Sequence, residues 1–330
     1  MSSDQKLSLD ADYARAIAPY ASYVPPVPTD AESLRKQNDF MINTVMGLFP
    51  CPARSRVAET ELSYKSADGT ELQLHRFDPP ASSSTPAPAG RPCVLYLHGG
   101  GFVSGSVTSF RKDIIRYAAE TRLTFYAPAY RLSPEAPFPK PLEDAYAALE
   151  FLRDNAQEQN IDPKRIGVMG ISAGGGLAAG LALEARDKKF VPAIKKLVLI
   201  YPMLDDRTRI GKDHPLNEYL TWTNKKNEIG WQAYLGDAGA RTVSSPDASV
   251  YAAPARAEDL SGLPPTYLDV GGLDLFKDEV NAFGAKLLAG KVDVEFHLYP
   301  GVPHAWEWLS HECPVTQKAV NNRVFALRSL

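Results

Sequence analysis

The sequence predicts an α/β protein, a mostly parallel central sheet flanked by helices and carrying a helical cap. Three observations carry that expectation. Short apolar runs alternate with longer helix-like ones from Cys93 to the C-terminus. A chain of 330 residues, 44% of them hydrophobic, buries one large core with a small appendage. Between Pro202 and Leu263 the alternation stops for longer than an ordinary crossover needs, which marks an insertion.

In chain order, two helix-like segments come first, Asp10 to Tyr23 and Asp30 to about Leu48, parted by Pro25-Pro26-Val27-Pro28. Thr29 and Asp30 are placed to cap the second. Its apolar residues Met41, Ile42, Val45, Met46 and Phe49 form one face, which periodicity assigns equally to a lid or to the core. Val57 to Tyr64 and Leu72 to Phe77, joined by a turn at Asp68-Gly69, predict an antiparallel hairpin. The proline-rich run Pro79 to Pro92 predicts an exposed loop. Strands are expected over Cys93 to Leu97, Leu123 to Ala127, Ile166 to Met169, Leu197 to Tyr201, Thr266 to Val270 and Val294 to Tyr299. Helices are expected near Phe110 to Glu120, Leu142 to Glu158, Ala173 to Arg186, Phe276 to Leu288 and Pro314 to Leu330. The insertion carries Tyr219, Trp222, Trp231 and Tyr234, which serve either an apolar pocket or the cap's own core.

A formal net charge of -3 offers no broad basic field for a phosphate backbone, so nucleic acid is not an expected partner. Lys188-Lys189, Lys195-Lys196 and Lys225-Lys226 are dispersed pairs and read as solvated helix ends or loops. Cys51, Cys93 and Cys313 are too few and too widely spaced for a disulfide framework or a zinc site with paired ligands, which favours a reducing compartment. The N-terminal stretch lacks the apolar core of a signal peptide, and no run is long enough for a membrane span; the cytoplasm is the expected location.

Gly170-Ile171-Ser172-Ala173-Gly174 fits the GxSxG pattern and lies between a predicted strand and a predicted helix. Small residues around a sharp strand-to-helix turn let the Ser172 hydroxyl stand clear, and the helix beginning there aims backbone N–H groups at developing negative charge. A glycine-rich turn at a strand end accounts for the pattern equally well when it stands alone. Upstream, His98-Gly99-Gly100-Gly101-Phe102 follows another strand. A glycine run lets main-chain donors approach an oxyanion, and with the N–H of Ala173 they would complete the hole. Phosphate-binding patterns GxGxxG and GxxxxGK[ST] do not occur there.

These two motifs together resemble the hormone-sensitive-lipase family, also called bacterial family IV esterases, of the α/β-hydrolase fold. Tyr130-Arg131-Leu132-Ser133-Pro134-Glu135, Tyr201-Pro202-Met203-Leu204-Asp205-Asp206-Arg207 and Leu263-Pro264-Pro265-Thr266 resemble it as well, so the likeness runs from about Val57 to the C-terminus. The resemblance implies that Gly100, Gly101 and Ala173 donate to the oxyanion, that His98 holds the glycine loop with Gly99, and that Gly170 and Gly174 support the nucleophile turn. Under it, residues 1–50 form the N-terminal part of a cap, 51–202 and 256–330 the two parts of the core, and 203–255 a cap insertion.

Six histidines are candidates for the general base: His75, His98, His214, His297, His304 and His311. The fold orders its triad as serine, acid, histidine, which removes His75 and His98. His297 lies within a strand, and His214 and His311 are expected at the surface. His304 follows the last strand on a turn-rich loop and is preferred. For the acid, Asp274 lies just after a strand, whereas Asp269 lies inside it and Asp278 and Glu279 fall in the next helix; the family's DxxxDE-like pattern also selects Asp274. Two departures touch pocket shape, Ile171 where many relatives carry aspartate and Ala305-Trp306 where Gly-Phe is common. The expected activity is hydrolysis of small to medium acyl esters through an acyl-enzyme. No cofactor or metal is implied, and the expected partner is a small-molecule ester; a homodimer stays open beside a monomer. A lactonase or amidase would share every motif, and a ligand receptor on the same scaffold, like the gibberellin receptors, would lack the histidine.

Overall fold

The structure, a computed structural model, describes residues 6–23, 25–48, 57–80, 90–236 and 248–330. Its frame is an eight-stranded sheet. Strands β1 (Ala58–Lys65) and β2 (Glu71–Asp78) form the expected antiparallel hairpin, with Ala58 opposite Asp78 and Lys65 opposite Glu71. Strands β3 (Arg91–Leu97), β4 (Thr124–Pro128), β5 (Ile161–Ile171), β6 (Lys196–Ile200), β7 (Thr266–Gly271) and β8 (Val294–Tyr299) run parallel. Because β2 pairs antiparallel with β4, the order is β1-β2-β4-β3-β5-β6-β7-β8. The central strands β3 to β7 carry apolar runs, such as Cys93 to Leu97, that are buried because helices cover both faces. The outermost strands β1 and β8 keep partly exposed side chains.

The helices are α1 (Ala11–Ile17), α2 (Ala31–Leu48), α3 (Val107–Thr121), α4 (Lys140–Asp154), α5 (Ala173–Asp187), α6 (Asn224–Leu235), α7 (Lys277–Ala289) and α8 (Pro314–Arg328). At the start of α2, Asp30 accepts from the Ser33 N–H at 2.8 Å while the Ser33 hydroxyl accepts from the Asp30 N–H at 3.1 Å, a reciprocal cap worth about 1 kcal/mol. Four boundaries differ from expectation. Helix α1 stops at Ile17 and continues as a 3₁₀ turn, Ala18–Tyr20, since Pro19 has no N–H to donate and its ring crowds the preceding turn. Helix α4 stops at Asp154 because Asn155 turns its side-chain amide back onto the Phe151 carbonyl at 2.9 Å. Strand β3 begins at Arg91, inside the run expected as a loop, and β5 begins at Ile161, paired with Arg91 ahead of a register shift. Residues 81–89 of that run, Phe49, Cys51 and the boundary expected at 50/51 lie outside the described residues.

Strand β3 leads through α3 to β4 on one side of it, and β4 leads through α4 back across to β5 on the other. The connections therefore diverge between β3 and β5, leaving a crevice at their carboxyl ends where α/β folds bind ligands. The glycine loop follows β3 and Ser172 follows β5. No helix among the described residues is long and apolar enough to cross a membrane.

Candidate active site

Ser172 sits at the turn from β5 into α5 with φ 55°, a left-handed conformation that lifts its side chain off the sheet. The turn is tight enough that a Cβ on Gly174 would lie 2.1 Å from the Leu97 carbonyl oxygen, so the helix packs against the end of β3 only with glycine there. Gly170 takes part in the same close approach, its absent Cβ facing the Gly174 carbonyl.

Ser172 Oγ lies 2.9 Å from His304 Nε2, and His304 Nδ1 lies 2.7 Å from Asp274 Oδ2. A carboxylate only accepts, so Nδ1 carries the proton and Nε2 is left to accept from the serine hydroxyl. The second carboxylate oxygen, Oδ1, accepts from the Phe276 N–H at 2.9 Å, which fixes the carboxylate's plane. Rings box in the imidazole: Tyr201 at 4.7 Å and Phe276 at 5.1 Å, both edge-on. The His304 backbone carbonyl accepts from the Thr221 hydroxyl at 2.8 Å, tying this residue to the insertion.

The glycine loop rests on His98. Its Nδ1 bonds the Gly99 carbonyl at 2.8 Å, its carbonyl accepts from the Tyr130 hydroxyl at 2.7 Å, and its ring stacks between Phe110 and Tyr130. Burial pushes the His98 imidazole down to about 4, so it stays neutral and donates to Gly99. Gly100 at φ 131° and Gly101 at φ 63° turn back over the serine, and a Cβ on Gly101 would lie 2.2 Å from Trp222 Cη2. Ala173 is the first residue of α5, where no intrahelical acceptor exists for its N–H.

Gly100, Gly101, Ser172 and His304 share one cavity of about 140 Å³. Its apolar walls come from both segments expected as a cap: Tyr13, Met41, Ile42 and Val45 from α1 and α2, and Trp222 from the insertion. The aromatics of the insertion divide between the cavity and other packing. Trp222 faces the cavity, Trp231 and Tyr234 pack on Phe102 at 5.1 and 4.0 Å, and the Tyr219 hydroxyl bonds the Leu7 carbonyl at 2.7 Å.

The rival residues are occupied elsewhere. Asp269 is fully buried and ion-paired to Arg323 at 2.6 Å, Asp278 is exposed beside Lys277, and Glu279 accepts from the Leu204 N–H at 2.6 Å. His297 bonds Glu295 on β8, and His214 caps a short exposed turn. His311 departs from its expected surface position, being half-buried just before α8. Lys226 departs too: half-buried, it lines the cavity. Sequence reasoning also missed the Arg323, Glu307 and Tyr201 chain behind His304, where Arg323 pairs with Glu307 at 2.6 Å and the Tyr201 hydroxyl donates to Glu307 at 2.7 Å. Among the described residues, no cluster of metal-ligating side chains is present.

A family model for the alpha/beta hydrolase fold matches residues 94–308. Esterase LipI of Mycobacterium tuberculosis is 32% identical over 247 residues, 74% of this chain and 74% of its own. Carboxylesterase NlhH of the same organism is 29% identical over 286 residues, 83% of this chain and 82% of its own. Among solved structures, a bacterial heroin esterase superposes with a TM-score of 0.84 at 34% identity, covering 98% of both chains.

Proposed function

This chain belongs to the α/β-hydrolase superfamily, among its hormone-sensitive-lipase-like carboxylesterases, and from that premise we propose that Ser172, His304 and Asp274 carry out two-step acyl transfer. It is a carboxylic ester hydrolase acting on small-molecule esters. The observation that carries the residue assignment is the continuous line from Ser172 Oγ through His304 to Asp274, at 2.9 and 2.7 Å, opening on a cavity shared with the glycine loop. Ser172 Oγ attacks the ester carbonyl as His304 Nε2 takes its proton. Gly100, Gly101 and Ala173 N–H groups hold the oxyanion, and the imidazolium returns its proton to the departing alcohol. Water, deprotonated by the same imidazole, then releases the acid. Asp274 fixes the tautomer and stabilises the imidazolium without taking the proton.

The cap in this reading is residues 1–50 together with 203–255, its support being the cavity walls that both segments supply. A cavity of about 140 Å³ with largely apolar walls favours short acyl chains. A binding-only role leaves an aligned nucleophile and base without a purpose. We also place the protein in a reducing compartment, the described cysteines Cys93 and Cys313 being buried and unpaired with each other.

The test compares purified wild type and Ser172→Ala on 4-nitrophenyl acetate, butanoate and decanoate. Wild type should prefer the two short esters, and the variant should lose about a million-fold in turnover at unchanged fold. Near wild-type hydrolysis by the variant would sink the assignment.

A further inference from the structure

The cavity beside Ser172 holds a charge that the ester-hydrolysis chemistry above does not use. Lys226 lines it together with apolar side chains such as Met41, Ile42 and Trp222, and no carboxylate is among the lining residues. Its Nζ donates to the Thr221 carbonyl at 3.1 Å, which uses one of the ammonium's three protons. Among the described residues no acid pairs with it. The adjacent Lys225 takes Glu228 instead, at 3.1 Å, and Glu228 turns its other oxygen toward Gln232. Desolvation lowers the Lys226 pKa below that of a free lysine.

Local structure adds the same sign. Thr223 caps α6, and Lys226 lies in the first turn, beside the positive end of the helix. A lysine there is disfavoured by the helix dipole, and an apolar wall disfavours it again. Both costs reverse when an anion enters the cavity, since the ammonium and the helix terminus then attract it together.

We infer that Lys226 is a specificity-determining residue selecting esters that carry a carboxylate a few bonds from the scissile carbonyl. This rests on the ester-hydrolase reading of the same cavity. Hydrolysis itself is unchanged: Ser172 attacks, the alcohol departs with a proton, and the substrate's carboxylate stays bound to the ammonium as a spectator.

The experiment uses two matched pairs, each an anionic ester and an uncharged ester of the same shape. Monoethyl succinate against ethyl 4-methylpentanoate places the carboxylate on the acyl side. Acetoxyacetate against isobutyl acetate places it on the alcohol side. The readout is the ratio of kcat/KM within each pair, for wild type, Lys226→Met, Lys226→Gln and Lys226→Arg. In at least one pair the ratio should fall about tenfold to a hundredfold in the Met and Gln variants, the range of a charge-assisted hydrogen bond, and should be largely retained by Arg. The pair that responds identifies the side of the ester on which the charge sits. Equal losses on anion and isostere would mean that Lys226 only tethers Thr221, and would overturn the inference, as would ratios that do not move in either pair. If wild type hydrolyses neither member of either pair, the ester-hydrolase reading fails instead.

Discussion

At the scale of single residues, the site depends on two histidines doing opposite work. In the proposed mechanism His304 exchanges a proton with substrate, and it stands between an acceptor, Asp274, and a donor, Ser172. His98 must not, and burial ensures it. Its folded value of about 4 lies below the ordinary 6.5, so between those two pH values the unfolded chain binds the extra proton and the folded chain does not. Stability therefore rises with pH through that window, and the His98 contribution is lost as pH falls from about 6.5 to about 4, on the order of 3 kcal/mol. Denaturant melts of wild type and His98→Gln at a series of pH values test this: the variant should show a shallower slope of stability against pH across the window. Parallel slopes would show that His98 is not the group responsible.

At the scale of elements, the glycine loop after β3 and the insertion around α6 form one unit. Gly101 touches Trp222 so closely that an added Cβ would meet the indole at 2.2 Å, and its φ of 63° disfavours any other residue. Gly101→Ala must move either the loop or the indole. The expected outcome is a loss of up to about a hundredfold in kcat, as for a displaced oxyanion donor. Wild-type kcat in a folded variant would remove Gly101 from the oxyanion hole. Much of this element layer was legible in the sequence, because buried parallel strands write themselves as apolar runs and the turn residues stand between them. The nucleophile turn, the glycine loop and the loop bearing His304 could all be placed by their position relative to a strand. What was not legible depended on distance in space. Nothing local marks Trp222 as the wall against Gly101, or separates Lys226, in the cavity, from Lys225, in solvent; the two are neighbours in one pair and differ only in the direction each leaves the helix.

At the scale of the molecule, charges buried behind the site join elements far apart in sequence. Arg323 of α8 reaches Asp269 of β7 and Glu307 after β8, each at 2.6 Å, and all three are buried. Glu307 in turn receives the Tyr201 hydroxyl from the end of β6, and Tyr201 supports the His304 ring. Such a set holds only if complete, since removing one member strands the others in a medium that cannot solvate them. Sequence patterning could say that Asp269 lies in a strand and is therefore a poor choice of acid, but its cation, distant along the chain, was invisible there. The same architecture sets four loops at the carboxyl edge of one sheet, after β3, β5, β7 and β8, and closes them under α1, α2 and α6. The central claim is that this convergence makes Ser172 a nucleophile. Incubation with a fluorophosphonate probe, read by intact mass and peptide mapping, tests it most directly. One label per chain on Ser172, absent from Ser172→Ala and slowed in His304→Ala, is the predicted result; no label, or a label on another serine, would contradict it.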